Sequence, residues 1–355
     1  MAETKSRSSL RRPLQRWPLA AYIVRRLLTS ILLMIGVTIV TFALTTLVPG
    51  DPITAALGEG AASNQATVDA YVERHGLDKP VPQRYLIYMT HLLQGDLGTS
   101  IHTGRPVLDD LGAVIPATVE VALAAIILSL AVSLVLGTLA AYRRGKVTDQ
   151  VVRVVSLIGL SLPMFWLAIV TYLVFFLHLG IAPGSGRLSP QLSPPPRFTG
   201  LYTLDFILDG DPVGFFDAAA HLALPVLVLS LFTIGLLTRF IRASVLEVLD
   251  TDYVRAARAK GLGGARIVSG YVLRGASLPV LTMTGIAFGI LLSGTVLVEA
   301  VFAWPGLGTY AYNAASSLDL PGVMGVGLVI GLIYLVINFI VDLLYAALDP
   351  RVRLS

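Results

Sequence analysis

Hydrophobic and polar positions in this chain fall into long blocks rather than the short alternations of a soluble fold. Six largely apolar runs cover residues 27–48, 121–142, 154–181, 218–238, 275–298 and 321–341. A helix rises 1.5 Å per residue, so about 20 apolar residues cross a hydrocarbon core of ~30 Å. The pattern predicts six transmembrane helices. No run holds Asp, Glu, Lys or Arg, and only His178 and His221 stand in them, each near an end. That purity is informative, because a charge at the centre of a span costs roughly 2.5–3.5 kcal/mol on insertion. Buried helices of a large soluble core would need polar faces that these runs lack.

The polar blocks between the runs have their own patterns. The longest basic one, 249–279, reads as a short helix with clear ends. Asp250 or Thr251 can cap it, Asp252 sits in its first turn, Arg258 and Lys260 in its last, and Gly261 is placed to stop it. At helical spacing Tyr253, Ala256, Ala257 and Lys260 share one face, while Val254, Arg255 and Arg258 turn away. A face with two alanines suits a partner's groove; a solvated loop helix is the plainer alternative.

The block 49–119 is long enough to fold. Pro80 or Val81 to Gln94 reads as a helix with Tyr85, Met89, Leu92 and Leu93 on one side and Gly95 as a stop, lying on the membrane surface or packed on the spans. Asp96 to Ser100 reads as a turn. The short loop Arg143-Arg144-Gly145-Lys146 makes the second and third spans antiparallel neighbours. Leu162-Pro163 should kink the third span. Residues 182–217, with six prolines, read as irregular. Gly285 and Gly289, then Gly322, Gly325, Gly327 and Gly331, mark close helix packing or a seam that slides.

Composition and charge sharpen this picture. Of 355 residues 55% are hydrophobic and 14% charged, and the net charge is +4. The basic balance does not point to nucleic acid, because the cations are sorted by loop. Segments 1–26, 142–153, 239–274 and 342–355 hold 20 of the 26 Lys and Arg, which places them and both termini in the cytoplasm. Residues 1–20 read as a basic arm near anionic headgroups. The run 27–48 is too long for a secretory signal and lacks a small-residue cleavage site, so it reads as an uncleaved span. With no cysteine, thiol chemistry and thiolate metal sites are excluded.

Enzymatic chemistry has little to stand on. No phosphate-binding G-x-x-x-x-G-K-[ST] loop exists, and His75, His91, His102, His178 and His221 have no metal-ligand spacing. An intramembrane serine protease would need its Ser and His within spans, but Gly184-Ser185-Gly186 lies in the Pro-rich block. A channel or ion-coupled transporter working alone would show ionisable groups deep in the spans. Only Glu120, Glu299 and Asp342 come near, all at span ends, where they read as interfacial. The chain looks like a membrane path without its own energy source.

At this point the motifs carry a resemblance. Arg255-Ala256-Ala257-x-x-x-Gly261 resembles the EAA loop of binding-protein-dependent ABC-importer permeases. Val48-Pro49-Gly50-Asp51-Pro52, Gly76-Leu77-Asp78-Lys79-Pro80, Gly95-Asp96-Leu97-Gly98, Asp252-Tyr253-Val254-Arg255, Trp304-Pro305-Gly306-Leu307-Gly308 and Asp349-Pro350-Arg351, in this order, are similar to the dipeptide/oligopeptide/nickel subfamily. The chain resembles the first of its two permease subunits, over roughly residues 20–353. Three features depart from the general pattern. Arg255 stands where the EAA motif has Glu, Gly261 to Leu278 spans 17 positions, longer than in sugar-importer permeases, and residues 1–20 extend beyond the usual start.

The resemblance implies an all-α polytopic type I ABC-importer permease of about six spans. The arm 1–20 is followed by a first span at 21–48, an outer region at 49–119, a core at 120–347 with a coupling loop at 239–279, and a tail at 348–355. It implies a bacterial cell membrane, a second permease, two ATPase subunits that bind ATP and Mg, an extracytoplasmic solute-binding protein, and no cofactor or covalent chemistry on this chain. ATPase docking falls to Asp252, Tyr253, Arg255, Ala256, Ala257, Arg258, Lys260, Gly261 and Leu262. Pro163, Phe165, Trp166, Ser293 and Glu299 are candidates for the substrate path, with plain packing as the alternative for each. The implied cargo is di- or oligopeptides, with nickel or glycosides carried elsewhere in the subfamily.

Overall fold

The structure, a computed structural model, describes residues 18–47 and 64–348, and among these every regular element is a helix. Residues 1–17, the Val48–Pro52 motif and the tail motif at Asp349 lie outside the described residues. In chain order the helices are α1 (Pro18–Leu47), α2 (Gln65–His75), α3 (Val81–Leu93), α4 (Val107–Tyr142), α5 (Val147–Ser161), α6 (Met164–His178, ending in a π-helical turn) and α7 (Tyr202–Asp209). They continue as α8 (Pro212–Leu249), α9 (Asp252–Ala259), α10 (Gly264–Val301, with a π-helical turn at Val268–Val272), α11 (Leu307–Ser316) and α12 (Leu320–Leu348).

Five of these, α1, α4, α8, α10 and α12, are long and apolar enough to cross a membrane. The third apolar run is the exception. A single kinked span was expected, and the structure instead has two helices bent by 98° at Leu162-Pro163. The residue before a proline is pushed out of the helical region, and Leu162 is extended at φ −80° and ψ 129°. Pro163 cannot donate the amide that would carry the helix across.

Helix α4 starts at Val107, well before the apolar run at 121, and has 36 residues; α8 has 38. At 1.5 Å per residue these are rods of ~54 and ~57 Å, longer than the hydrocarbon layer. The extra turns are polar: Asp109 and Asp110 open α4. Asp211 caps α8, accepting from the amides of Val213 at 3.0 Å and Gly214 at 3.2 Å. Residues 182–217 are thus less irregular than expected. They contain α7, whose Asp205 accepts from Thr199 N, Thr199 Oγ1 and Gly200 N.

Helix α8 is the axis of the molecule, packed along α4, α10 and α5. The main core lies between these rods, with Val228, Leu229, Leu237 and Ile241 of α8 against Val121, Ala125 and Leu291. Glycines set the crossings. A Cβ on Gly235 would stand 2.6 Å from the Ser156 carbonyl oxygen of α5, and one on Gly289 would stand 2.7 Å from the Tyr334 ring of α12. The glycine rows of α10 and α12 are therefore contact seams. Helix α1 packs on α12, with Arg26 paired to Asp342. Of the two placements expected for α3, packing on a span is the observed one. Tyr85 shares a 2.8 Å hydrogen bond with Thr38 of α1, and the Tyr85 and Tyr88 rings meet Phe42.

Candidate functional site

At one end of the rods α8 turns through Asp250 and Thr251 into α9. Thr251 stands at the N-cap with extended backbone, but its hydroxyl donates back to Val248 O at 2.6 Å instead of capping. Asp252 lies in the first turn and forms an exposed pair with Arg255 at 2.5 Å. Such exposed pairs add little stability. Lys260 closes the helix and Gly261, at φ +75°, stops it.

The helix divides into two arcs. Val254 and Ala257, at i and i+3, are buried at 0% and 3% exposure in a core shared with Val245, Leu249, Ile267 and Val272. Leu262 packs against the same core. Asp252, Tyr253, Arg255, Ala256, Arg258 and Lys260 are exposed together. This corrects the expected docking face. Ala257 and Leu262 turn into this chain, and Arg255 and Arg258 face outward rather than away from the exposed surface. Val254 is the only large aliphatic side chain of the helix, so apolar burial sets the rotation. Two tyrosines fasten the region. A Cβ on Gly275 would lie 2.4 Å from the Tyr253 hydroxyl, and one on Gly264 would lie 2.6 Å from that of Tyr142, so glycine is what lets α10 approach.

The five path candidates are not brought into one site. Pro163 marks the 98° break, and Phe165 and Trp166 are 48% and 46% exposed just beyond it. Ser293 is exposed on α10 and donates weakly to Gly289 O at 3.4 Å. Its neighbour Gly294 sits against Met164, whose sulfur would be 2.6 Å from an added Cβ, so the break does rest on α10 near Ser293.

Glu299 is enclosed by this chain rather than open to a path. It is 1% exposed and saturated, accepting from Thr118 Oγ1 at 2.5 Å and from the amides of Gly308 at 2.7 Å and Thr309 at 3.1 Å. Its carboxylate caps the N-terminus of α11, where free amides and the helix dipole favour an anion. The motif at 304–308 is built around it. Trp304 Nε1 donates to Ala117 O at 2.9 Å, and a Cβ on Gly306 would stand 2.4 Å from Glu299 Oε1.

Glu120 is likewise buried. It pairs with Arg187 at 2.6 Å, and its other oxygen accepts from Thr203 N and Oγ1. The Arg187 guanidinium also donates to Gly200 O at 2.9 Å and lies 3.6 Å from the Tyr202 ring centroid. This junction ties the Pro-rich segment to α4, and sequence reasoning missed it. The available signal was a lone arginine in a proline-rich block facing a glutamate at the edge of an apolar run. Burial acts to raise the Asp205 carboxyl nearby, but bonds from Thr199 and Gly200 and the charge of Arg187 outweigh it and hold it below the usual range. Tyr310 on α11 is pushed up to about 12 by burial and by the charges of Asp110 and Asp319, against an opposing bond from Ser100.

Comparisons with known proteins identify the family. Residues 133–354 match the family described as the binding-protein-dependent transport system inner membrane component, and residues 19–122 match its N-terminal companion. The probable D,D-dipeptide transport system permease protein DdpB of Escherichia coli K12 is 44% identical over 91% of this chain and 94% of its own length. The di/tripeptide transport system permease protein DppB of Pseudomonas aeruginosa UCBPP-PA14 is 41% identical over 94% and 98%. The dipeptide transport system permease protein DppB of Alkalihalophilus pseudofirmus is 38% identical over 94% and 99%. A solved structure, inward-facing conformations of the MetNI methionine ABC transporter, aligns at 18% identity and a TM-score of 0.48 over 66% of this chain and 93% of that one. The chain belongs to the binding-protein-dependent transport system inner membrane components and is a multi-pass permease of the bacterial inner membrane.

Proposed function

We propose that this chain is one of two similar permease subunits of an ATP-driven importer of di- and oligopeptides. An extracytoplasmic solute-binding protein delivers the cargo, and two ATPase subunits dock on the cytoplasmic side. The observation that carries the reading is the split of α9. Its outward arc of Asp252, Tyr253, Arg255, Ala256, Arg258 and Lys260 is free to meet a partner. Its inward arc of Val254 and Ala257 is embedded in the core that joins α8 to α10. A displacement at the tip is thereby carried into both rods. Peptide as cargo is supported by the three relatives, whose names are those of dipeptide or di/tripeptide permeases.

In this reading both termini and α9 are cytoplasmic, ATP and Mg are held by the ATPase chains, and this chain binds no cofactor and makes no covalent bond. Nucleotide-driven closure of the ATPases moves α9, and α5 to α12 of the two permeases rearrange to open the path alternately to each side. The test is reconstitution of the complex in proteoliposomes. Uptake of labelled dipeptide should require both ATP and the ATPase subunits, and uptake persisting with this chain alone would overturn the reading. Mass spectrometry of the ligand retained by the co-purified binding protein checks the cargo; nickel or a glycoside there would replace peptide.

A further inference from the structure

Between α5 and the last turns of α8 lies a cavity of about 770 Å³ whose lining includes Arg153, Ser156, Leu157, Thr238, Arg239 and Arg242. Its charges do not balance. Arg242 is forked onto Asp149 at 2.6 and 2.9 Å, but among the described residues Arg153 and Arg239 have no carboxylate within ion-pair distance. Three guanidiniums therefore share one carboxylate. Arg153 and Arg239 are both exposed at this opening, so their guanidiniums are within reach of a ligand.

The surroundings narrow the ligand class. Next to the cavity, Val154, Val155, Leu157 and Ile158 of α5 are 53–61% exposed, an apolar strip beside a cationic opening. Arg153 lies less than two turns into α5 from the Arg143–Lys146 loop, and Arg239 and Arg242 lie in the turns before α8 ends at Leu249. Arg153 directly precedes the apolar run 154–181 and Arg239 directly follows the run 218–238, positions that suit contact with headgroups. Guanidiniums fork onto phosphate oxygens, and basic pockets between membrane helices suit anionic headgroups. A phosphodiester would pair with Arg153 and Arg239, and its acyl chains would cover the strip. A carboxylate satisfies the same cations but leaves the strip bare.

We propose that this cavity is a binding site for the phosphate of an anionic phospholipid in the leaflet on the α9 side. The site is independent of the cargo and of docking at α9. The test uses the assembled transporter in detergent, delipidated and titrated with phosphatidylglycerol or phosphatidylcholine, with bound lipid read by native mass spectrometry. Phosphatidylglycerol should be retained in preference. Arg153→Gln with Arg239→Gln should weaken it about thirtyfold, as expected for two headgroup cations. Arg153→Lys with Arg239→Lys should keep most of the binding, which separates lost charge from a lost fold. Arg266→Gln with Arg274→Gln, an equal charge change at exposed positions on the same end, should leave it unchanged. Equal retention of both lipids, or an equal loss in the control pair, overturns the proposal. So does displacement of phosphatidylglycerol by a dipeptide with a free carboxylate but not by its amide, which makes the cavity a carboxylate site. Displacement by inorganic phosphate alone makes it a free-anion site and equally overturns it.

Discussion

Ala256 and Ala257 are adjacent, chemically identical and assigned opposite environments, so they form an internally controlled test of α9. Ala257 is 3% exposed in a packed core, where added methylenes force side chains off their rotamers at a cost of about 1–3 kcal/mol. Ala257→Leu should therefore lower the unfolding temperature of the detergent-purified permease, without its ATPases, by several degrees. Ala257→Glu should do worse, because it buries a carboxylate with no partner. Ala256 is exposed, and surface substitutions usually stay within about 0.5 kcal/mol. Ala256→Leu and Ala256→Glu should thus unfold like wild type, while changing the peptide transported per ATP hydrolysed in proteoliposomes. The two readouts separate the arcs: stability reports the inward one and coupling the outward one. Should Ala257→Leu unfold like wild type while Ala256→Leu loses stability, the rotation of α9 and the two-arc argument are both wrong.

Three further outcomes follow from the opposite end of the rods. Arg187→Met leaves Glu120 buried and unpaired, for an expected loss of about 3–5 kcal/mol; adding Glu120→Leu should recover most of it in a double-mutant cycle of thermal unfolding, and a merely additive double would refute the pairing. The Asp205 carboxyl is held below its unfolded value of 3.8, so its contribution is complete above that pH and lost as pH falls from there through the folded value. Unfolding temperatures between pH 5 and 3 should fall more steeply for wild type than for Asp205→Asn, and parallel curves would count against the assignment. Gly306→Ala places a methyl 2.4 Å from both Glu299 Oε1 and Thr118 Oγ1, so it should destabilise by about 1–3 kcal/mol, checked by the same thermal assay; an unchanged transition would mean the junction has slack.

Much of the fold is legible from hydropathy, because only long apolar helices meet the demands of a bilayer. What hydropathy measures is depth, and it therefore misjudges length: α4 continues through Asp110 and Asp109 to Val107, turns that no apolar run would reveal. It also averages across Leu162-Pro163, where the local backbone rule for a pre-proline residue decides the geometry. The ends of α9 could be read because Asp252 and Gly261 act locally. Its rotation was harder. Two neighbouring alanines are neutral markers, and the deciding side chain, Val254, is a single residue. The roles of Glu120 and Glu299 were least accessible. Their main partners are Arg187 and Thr118, 67 and 181 positions away, and only the packed rods bring them together.

The two arcs of α9 also limit how such a subunit can change its associates. Val254 and Ala257 answer to this chain's own interior, Tyr253 answers to both because its hydroxyl rests on Gly275, and Asp252, Arg255, Ala256, Arg258 and Lys260 answer to whatever binds outside. A transplant that carries those five from a related permease onto this scaffold should therefore redirect it to that relative's ATPases, with the inner residues left untouched. Subunit exchange between transport systems then becomes a matter of a few surface positions on a helix of two turns, and the interior can diverge at its own pace.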